Sequence, residues 1–172
     1  GFMNAAIDIG NSSAKIGFFS EDNLMQVTTC KLQDIPNAIS DKNLDGVIIS
    51  SVKKTSDQIL EKIKENCDQL VFLDAQTTLP FSLNYDTPKT LGVDRLAAIA
   101  GALLHSDKNT LVIDLGTCVT YDLITKDKVF QGGIISPGYS MRLKAMNKFT
   151  AGLPIVEPNE NPEFIGKSTE SC

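Results

Sequence analysis

The sequence predicts an α/β protein built from two related halves, and three observations carry the prediction. Short apolar runs bounded by turn residues alternate with stretches whose apolar residues recur at helical spacing. The run Ile7-Asp8-Ile9-Gly10-Asn11 is answered 106 residues later (114 − 8) by Ile113-Asp114-Leu115-Gly116-Thr117, and apolar returning strands follow both, the pattern left by an internal duplication. With 42% hydrophobic residues over 172 positions, the composition is that of a folded chain rather than a disordered or fibrous one.

The elements follow in order. Ala5 to Gly10 reads as a buried strand ending in a turn, with Lys15 to Ser20 and Met25 to Leu32 returning beside it. Val47 to Val52 is another strand. Thr55 to Asn66 is a helix with Ile59, Leu60 and Ile63 on one face and Thr55 or Ser56 as its cap. Gln69 to Asp74 is a strand, and Thr77 to Thr90, with Pro80 and Pro88, is a loop of about fourteen residues, long enough to suggest function. A helix from Val93 or Asp94 to about His105 turns Leu96, Ile99, Ala100, Leu103 and Leu104 inward. The series restarts with strands at Thr110 to Gly116, Val119 to Ile124 and Lys128 to Gly132, then a helix from Ser140 to Phe149. The Pro-rich stretch Leu153 to Phe164 reads as surface loop. Residues 1–108 are expected to form the first half and 109–172 the start of the second, which stops short of a full repeat and reads as truncated.

Several function classes drop out. Sixteen basic against 21 acidic residues give a net charge of −5 without a basic patch, so nucleic acid is not the expected partner. No apolar run approaches the ~20 residues of a membrane span. Cys30, Cys67, Cys118 and Cys172 form no C-x-x-C pair, and no secretory h-region opens the chain, so a reducing, cytoplasmic compartment is expected. Gly1-Phe2 ahead of Met3 reads as a cloning remnant. Gly166-Lys167-Ser168 lacks the earlier glycine of a P-loop, and the sole histidine, His105, has no metal-ligand companion.

Three constellations carry chemistry. A strand ending in Asp-x-Gly sets a carboxylate at a sharp turn, while the glycine lets main-chain amides approach an anion. Asn11, Ser12 and Ser13 add donors in the first half, Thr117 and Thr120 in the second, and Lys15 supplies a cation. Asp8 and Asp114, opposed across a cleft, would hold a hydrated Mg²⁺ or a monovalent cation beside nucleotide phosphates. The alternative is a pair of hairpins with solvated carboxylates. Gly92-Val93-Asp94-Arg95 opens a helix directly after the long loop. Asp94 there is either an N-cap or a base for an attacking hydroxyl, and Arg95 either a surface residue or a clamp for a substrate carboxylate. The cluster Gly132 to Gly138 lies between strand and helix as a tight connection or a wall close to a ligand.

Asp8 through Lys15, Gly92 to Arg95, Asp114-Leu115-Gly116-Thr117-Cys118-Val119-Thr120-Tyr121-Asp122 and Gly132 to Gly138 together resemble type III pantothenate kinase, in that family's motif order. The resemblance implies duplicated ribonuclease-H-like lobes of the actin-like ATPase and sugar-kinase superfamily with mixed central sheets, the second incomplete. It implies ATP-dependent phosphorylation of pantothenate, the first step towards coenzyme A, by a cytoplasmic homodimer using Mg²⁺ and a monovalent cation, K⁺ or NH₄⁺. Carried over by position, Asp8, Ile9, Gly10, Asn11, Ser12, Ser13, Ala14, Lys15 and Thr117 match ATP contacts, Asp94 the proton acceptor, and Asp114 the monovalent-cation ligand, with Asp8 a ligand for Mg²⁺. Tyr85, Gly92, Val93, Asp94, Arg95 and Thr169 match the pantothenate contacts. Val93 and Cys118 stand where the family has alanine, so packing adjustments are expected. A sugar kinase or polyphosphate hydrolase of the same superfamily, or a non-catalytic ATP-binding module, are the competing readings.

Overall fold

A computed structural model describes residues 3–74 and 76–172; Gly1 and Phe2, read above as a cloning remnant, lie outside the described residues. The chain divides into two compact units, Gly1–Phe81 with Tyr85–Gly101, and Ser82–Asn84 with Ala102–Cys172.

The first unit is organised by one mixed sheet. Strands β1 (Met3–Ile9), β2 (Ala14–Ser20) and β3 (Asn23–Cys30) form an antiparallel meander, and β4 (Leu44–Ser51) and β5 (Cys67–Phe72) add in parallel on the far side of β1. The order β3-β2-β1-β4-β5 is that of a ribonuclease-H-like lobe. Period-2 alternation decides which face is covered: Ala5, Ile7 and Ile9 on β1, Ile16 and Phe18 on β2, and Val47 and Ile49 on β4 are buried. Against them pack Ile35 and Ile39 of α1 (Ile35–Ile39) and Ile63 of α2 (Asp57–Lys64). Each isoleucine so buried contributes about 1.5–3 kcal/mol relative to exposure.

Local chemistry sets the boundaries. Ser56, not Thr55, caps α2: its side-chain oxygen accepts the Ile59 N–H at 3.4 Å. Helix α3 (Val93–Ala102) ends before the expected His105, so Leu104 is 85% exposed rather than inward, while Leu96 and Ile99 are fully buried.

The second unit repeats the opening. Strands β7 (Thr110–Leu115), β8 (Cys118–Ile124) and β9 (Val129–Pro137) form an antiparallel meander, joined on β9 by the short parallel strand β6 (Ser82–Leu83) from within the long loop, in the order β6-β9-β8-β7. Ile124 and Phe130 are its fully buried apolar residues, and Leu111, Ile113 and Leu115 of β7 are exposed by half or more. The glycine cluster corrects the sequence reading. Residues 132–137 lie inside β9, where Leu123 faces both Gln131 and Gly132 in a bulge, and only Gly138 lies at the junction with α4 (Tyr139–Phe149). Among the described residues no helix is long and apolar enough to cross a membrane.

Candidate active site

The β1–β2 turn is built for polar contact. Ile9 and Ala14 are the last paired residues, and between them the Gly10 N–H donates to the Ser13 carbonyl at 3.0 Å, leaving Asn11 and Ser12 exposed at the tip. Asp8 and Lys15 are direct cross-strand partners, both exposed. The segment after β4 braces the turn: the Val52 N–H donates to the Ile9 carbonyl at 3.1 Å and Lys53 Nζ to the Asn11 carbonyl at 3.0 Å. An exposed carboxylate, an exposed ammonium and two exposed polar tip residues suit an anion accompanied by a hard cation.

The β7–β8 turn is its counterpart with different chemistry. Three residues, Gly116 to Cys118, separate the paired Leu115 and Val119, one fewer than in the first hairpin. The register places Thr120 opposite Asp114, and β8 holds no lysine at all. A carboxylate facing a hydroxyl offers oxygen ligands to a cation and no ammonium to a phosphate. The turn is locked from behind. Gly138 N–H donates to the Thr117 carbonyl at 3.0 Å, and a Cβ at position 138 would lie 2.4 Å from both the Gly116 and Thr117 carbonyl oxygens. Only glycine permits that approach. Arg142, one turn into α4, holds the end of β9 through Nε to the Pro137 carbonyl (2.9 Å) and Nη2 to Ser136 Oγ (2.8 Å).

The start of α3 carries the third constellation. Asp94 Oδ1 accepts the Arg95 N–H at 2.9 Å, and a Cβ on Gly92 would lie 2.6 Å from that oxygen, so glycine there lets the carboxylate fold back over the helix start. Arg95 is 6% exposed, which sets aside the surface-residue alternative. Val93, Asp94 and Tyr85 are half-buried. Thr169 belongs to the second unit, where it lines a cavity of about 210 Å³ with Leu143, Met146, Leu153, Pro154 and Val156.

Sequence reasoning missed the braces. Lys53 and Asn11 are 42 residues apart and no motif links them. Titration is displaced on the frame: burial pushes the Cys30 and Cys67 thiols up, helped by the Asp34 and Asp68 carboxylates. Asp74 is held below the usual carboxylate range by the Gln76 backbone N–H (2.8 Å) and the Thr77 hydroxyl (3.1 Å).

Among the described residues no group of three or more His, Cys, Asp or Glu could hold a metal unaided. The residues present fit a divalent cation that arrives with phosphates and takes one carboxylate, Asp8, from the protein.

The family model of type III pantothenate kinases matches residues 5–172. The chain is 43% identical over 169 residues to the type III pantothenate kinase of Cytophaga hutchinsonii, covering 97% of this chain and 71% of that protein. It is 42% identical over 175 residues to that of Christiangramia forsetii, covering 98% and 72%. A solved structure from Campylobacter jejuni, named as a Baf family transcriptional activator, superposes with a TM-score of 0.60 at 21% identity over 97% of this chain and 70% of that one, which shows the fold alone. With both Asp-x-Gly hairpins and the Gly92 to Arg95 helix start inside the matched span, the chain belongs to the type III pantothenate kinase family.

Proposed function

We propose that the protein transfers the γ-phosphoryl group of ATP to the primary hydroxyl of pantothenate, the first step of coenzyme A biosynthesis. The observation that carries this reading is the family match over residues 5–172, which takes in all three constellations at once.

The residue roles are those the family resemblance assigns by position, and the hairpin and helix-start geometry supports them. The turn from Asp8 through Lys15, namely Asp8, Ile9, Gly10, Asn11, Ser12, Ser13, Ala14 and Lys15, receives the ATP phosphates: exposed Asn11 and Ser12 donate to phosphate oxygens, and Lys15 balances their charge. Asp8 holds Mg²⁺, which when bound neutralises charge on the β- and γ-phosphates. Asp114, facing Thr120, is the ligand for a monovalent cation, K⁺ or NH₄⁺, and Thr117 contacts ATP. Asp94 accepts the proton as the pantothenate oxygen bonds to phosphorus and the bond to the bridging oxygen of ADP breaks. Arg95 grips the pantothenate carboxylate through its planar guanidinium, with Tyr85, Gly92, Val93 and Thr169 completing the substrate contacts. Within each protomer residues 1–108 belong to a first lobe and 109–172 to a second, and the protein works as a cytoplasmic homodimer.

The test is a coupled assay of pantothenate against a panel of hydroxy acids and neutral sugars, run on wild type and Asp94→Asn. Pantothenate should be the preferred acceptor, and the variant should bind both substrates while turning over about a hundredfold or more slowly. Preference for a neutral sugar, or near-normal turnover by the variant, would contradict the reading.

A further inference from the structure

Among the described residues two buried side-chain hydroxyls have no hydrogen-bond partner, Ser50 Oγ and Thr55 Oγ1. Ser50 is 8% exposed and sits near the end of β4. The parallel register of β1 and β4 makes Asp8 and Ser50 direct partners, so their side chains leave the sheet on the same face, one strand apart, at about 4.8 Å between backbones. Thr55 has no such neighbour: it lies beyond the strand, next to the Ser56 cap of α2. A hydroxyl is a poor choice for a buried place that offers it no partner, since alanine would fill it without desolvating a polar group. The same hydroxyl both donates and accepts when a polar ligand is seated against it.

We propose that Ser50 is a positioning residue for the Mg²⁺-nucleotide complex: its hydroxyl bonds a water carried by the divalent cation at Asp8 and orients that hydrated cation. This rests on Asp8 being the Mg²⁺ ligand and deepens that assignment by adding a neighbour no motif marks. The role explains why the residue beside the carboxylate is polar and buried at once.

The experiment is calorimetric titration of the full-length protein with ADP, with and without Mg²⁺, on wild type, Ser50→Ala, Ser50→Thr, Asp8→Asn and the control Thr55→Ala. Ser50→Ala is expected to weaken Mg²⁺-ADP binding about tenfold, the loss of one charge-assisted hydrogen bond, with metal-free ADP binding unchanged and Ser50→Thr restoring most of it. Thermal unfolding of Ser50→Ala should not fall, because no intramolecular bond is removed. Should Ser50→Ala fold poorly, Ser50→Cys removes the hydroxyl at similar volume and must show the same loss. Wild-type Mg²⁺-ADP affinity in Ser50→Ala alongside weakened binding in Asp8→Asn would overturn the role of Ser50 and leave Asp8 standing. Wild-type affinity in both would overturn the Asp8 assignment as well. Equal weakening with and without Mg²⁺, or the same loss in Thr55→Ala, would also overturn the proposal.

Discussion

Lys15 stands directly opposite Asp8 in the antiparallel β1–β2 pair, whereas Thr120 stands opposite Asp114. Two hairpins of common plan thus differ by one charge at matching places. Lys15→Met should weaken ADP binding about tenfold or more by calorimetry, the size of a charge-assisted contact to phosphate. Thermal unfolding should barely shift, because Lys15 is exposed and substitutions at exposed positions rarely change stability much.

Arg95 is nearly fully buried at the start of α3, next to the Asp94 carboxylate. On the proposed role of Arg95 as the carboxylate clamp, Arg95→Lys keeps the charge and loses the planar two-pronged geometry, so the KM for pantothenate should rise about tenfold with the KM for ATP unchanged in steady-state kinetics. An unchanged pantothenate KM would move the carboxylate contact elsewhere.

Gly138→Ala drives a methyl group into the Gly116 and Thr117 carbonyl oxygens, at 2.4 Å from each. Overpacking of this kind costs about 1–3 kcal/mol, which corresponds to a Tm lower by roughly 3–10 °C in a thermal melt. On the roles proposed for Asp114 and Thr117, any activation by K⁺ should weaken in parallel, because the displaced turn carries Thr117 and adjoins Asp114.

Asp74 titrates below its ordinary value of 3.8 because the Gln76 N–H and Thr77 hydroxyl favour its charged form. A depressed folded-state pKa contributes stability that is present above the unfolded value and is lost as pH falls through the folded one. Wild type should therefore melt above Asp74→Ala at neutral pH, and the gap should close as melts are repeated downward from pH 4. A gap independent of pH would show that the charge plays no part.

The strands that open the first half were legible because each buries one face, and alternation of Ile7, Ile9 and Ile16 with polar or small neighbours is visible without coordinates. Asp8, Asp114 and Asp94 were legible because each adjoins a turn or helix start marked by glycine. The boundary of β9 was not: Gly132 and Gly133 are poor strand formers, and pairing with β8 overrides their propensity. Helix α1 is too short, with Pro36 in its first turn, to show a period. Ser50 reads from the sequence as a polar residue ending an apolar strand, and only the β1–β4 register and its missing partner distinguish it. Long-range braces such as Lys53 to Asn11 leave no local trace at all.

The backbone-to-backbone seam between Gly138 and the β7–β8 turn has a mechanical meaning. With no side chain to act as a cushion and Arg142 pinning the first turn of α4 to the end of β9, a shift of the helix start moves the β7–β8 turn with it. The strand that enters that turn carries Asp114 two residues before it, so the helix start and the carboxylate share one anchor.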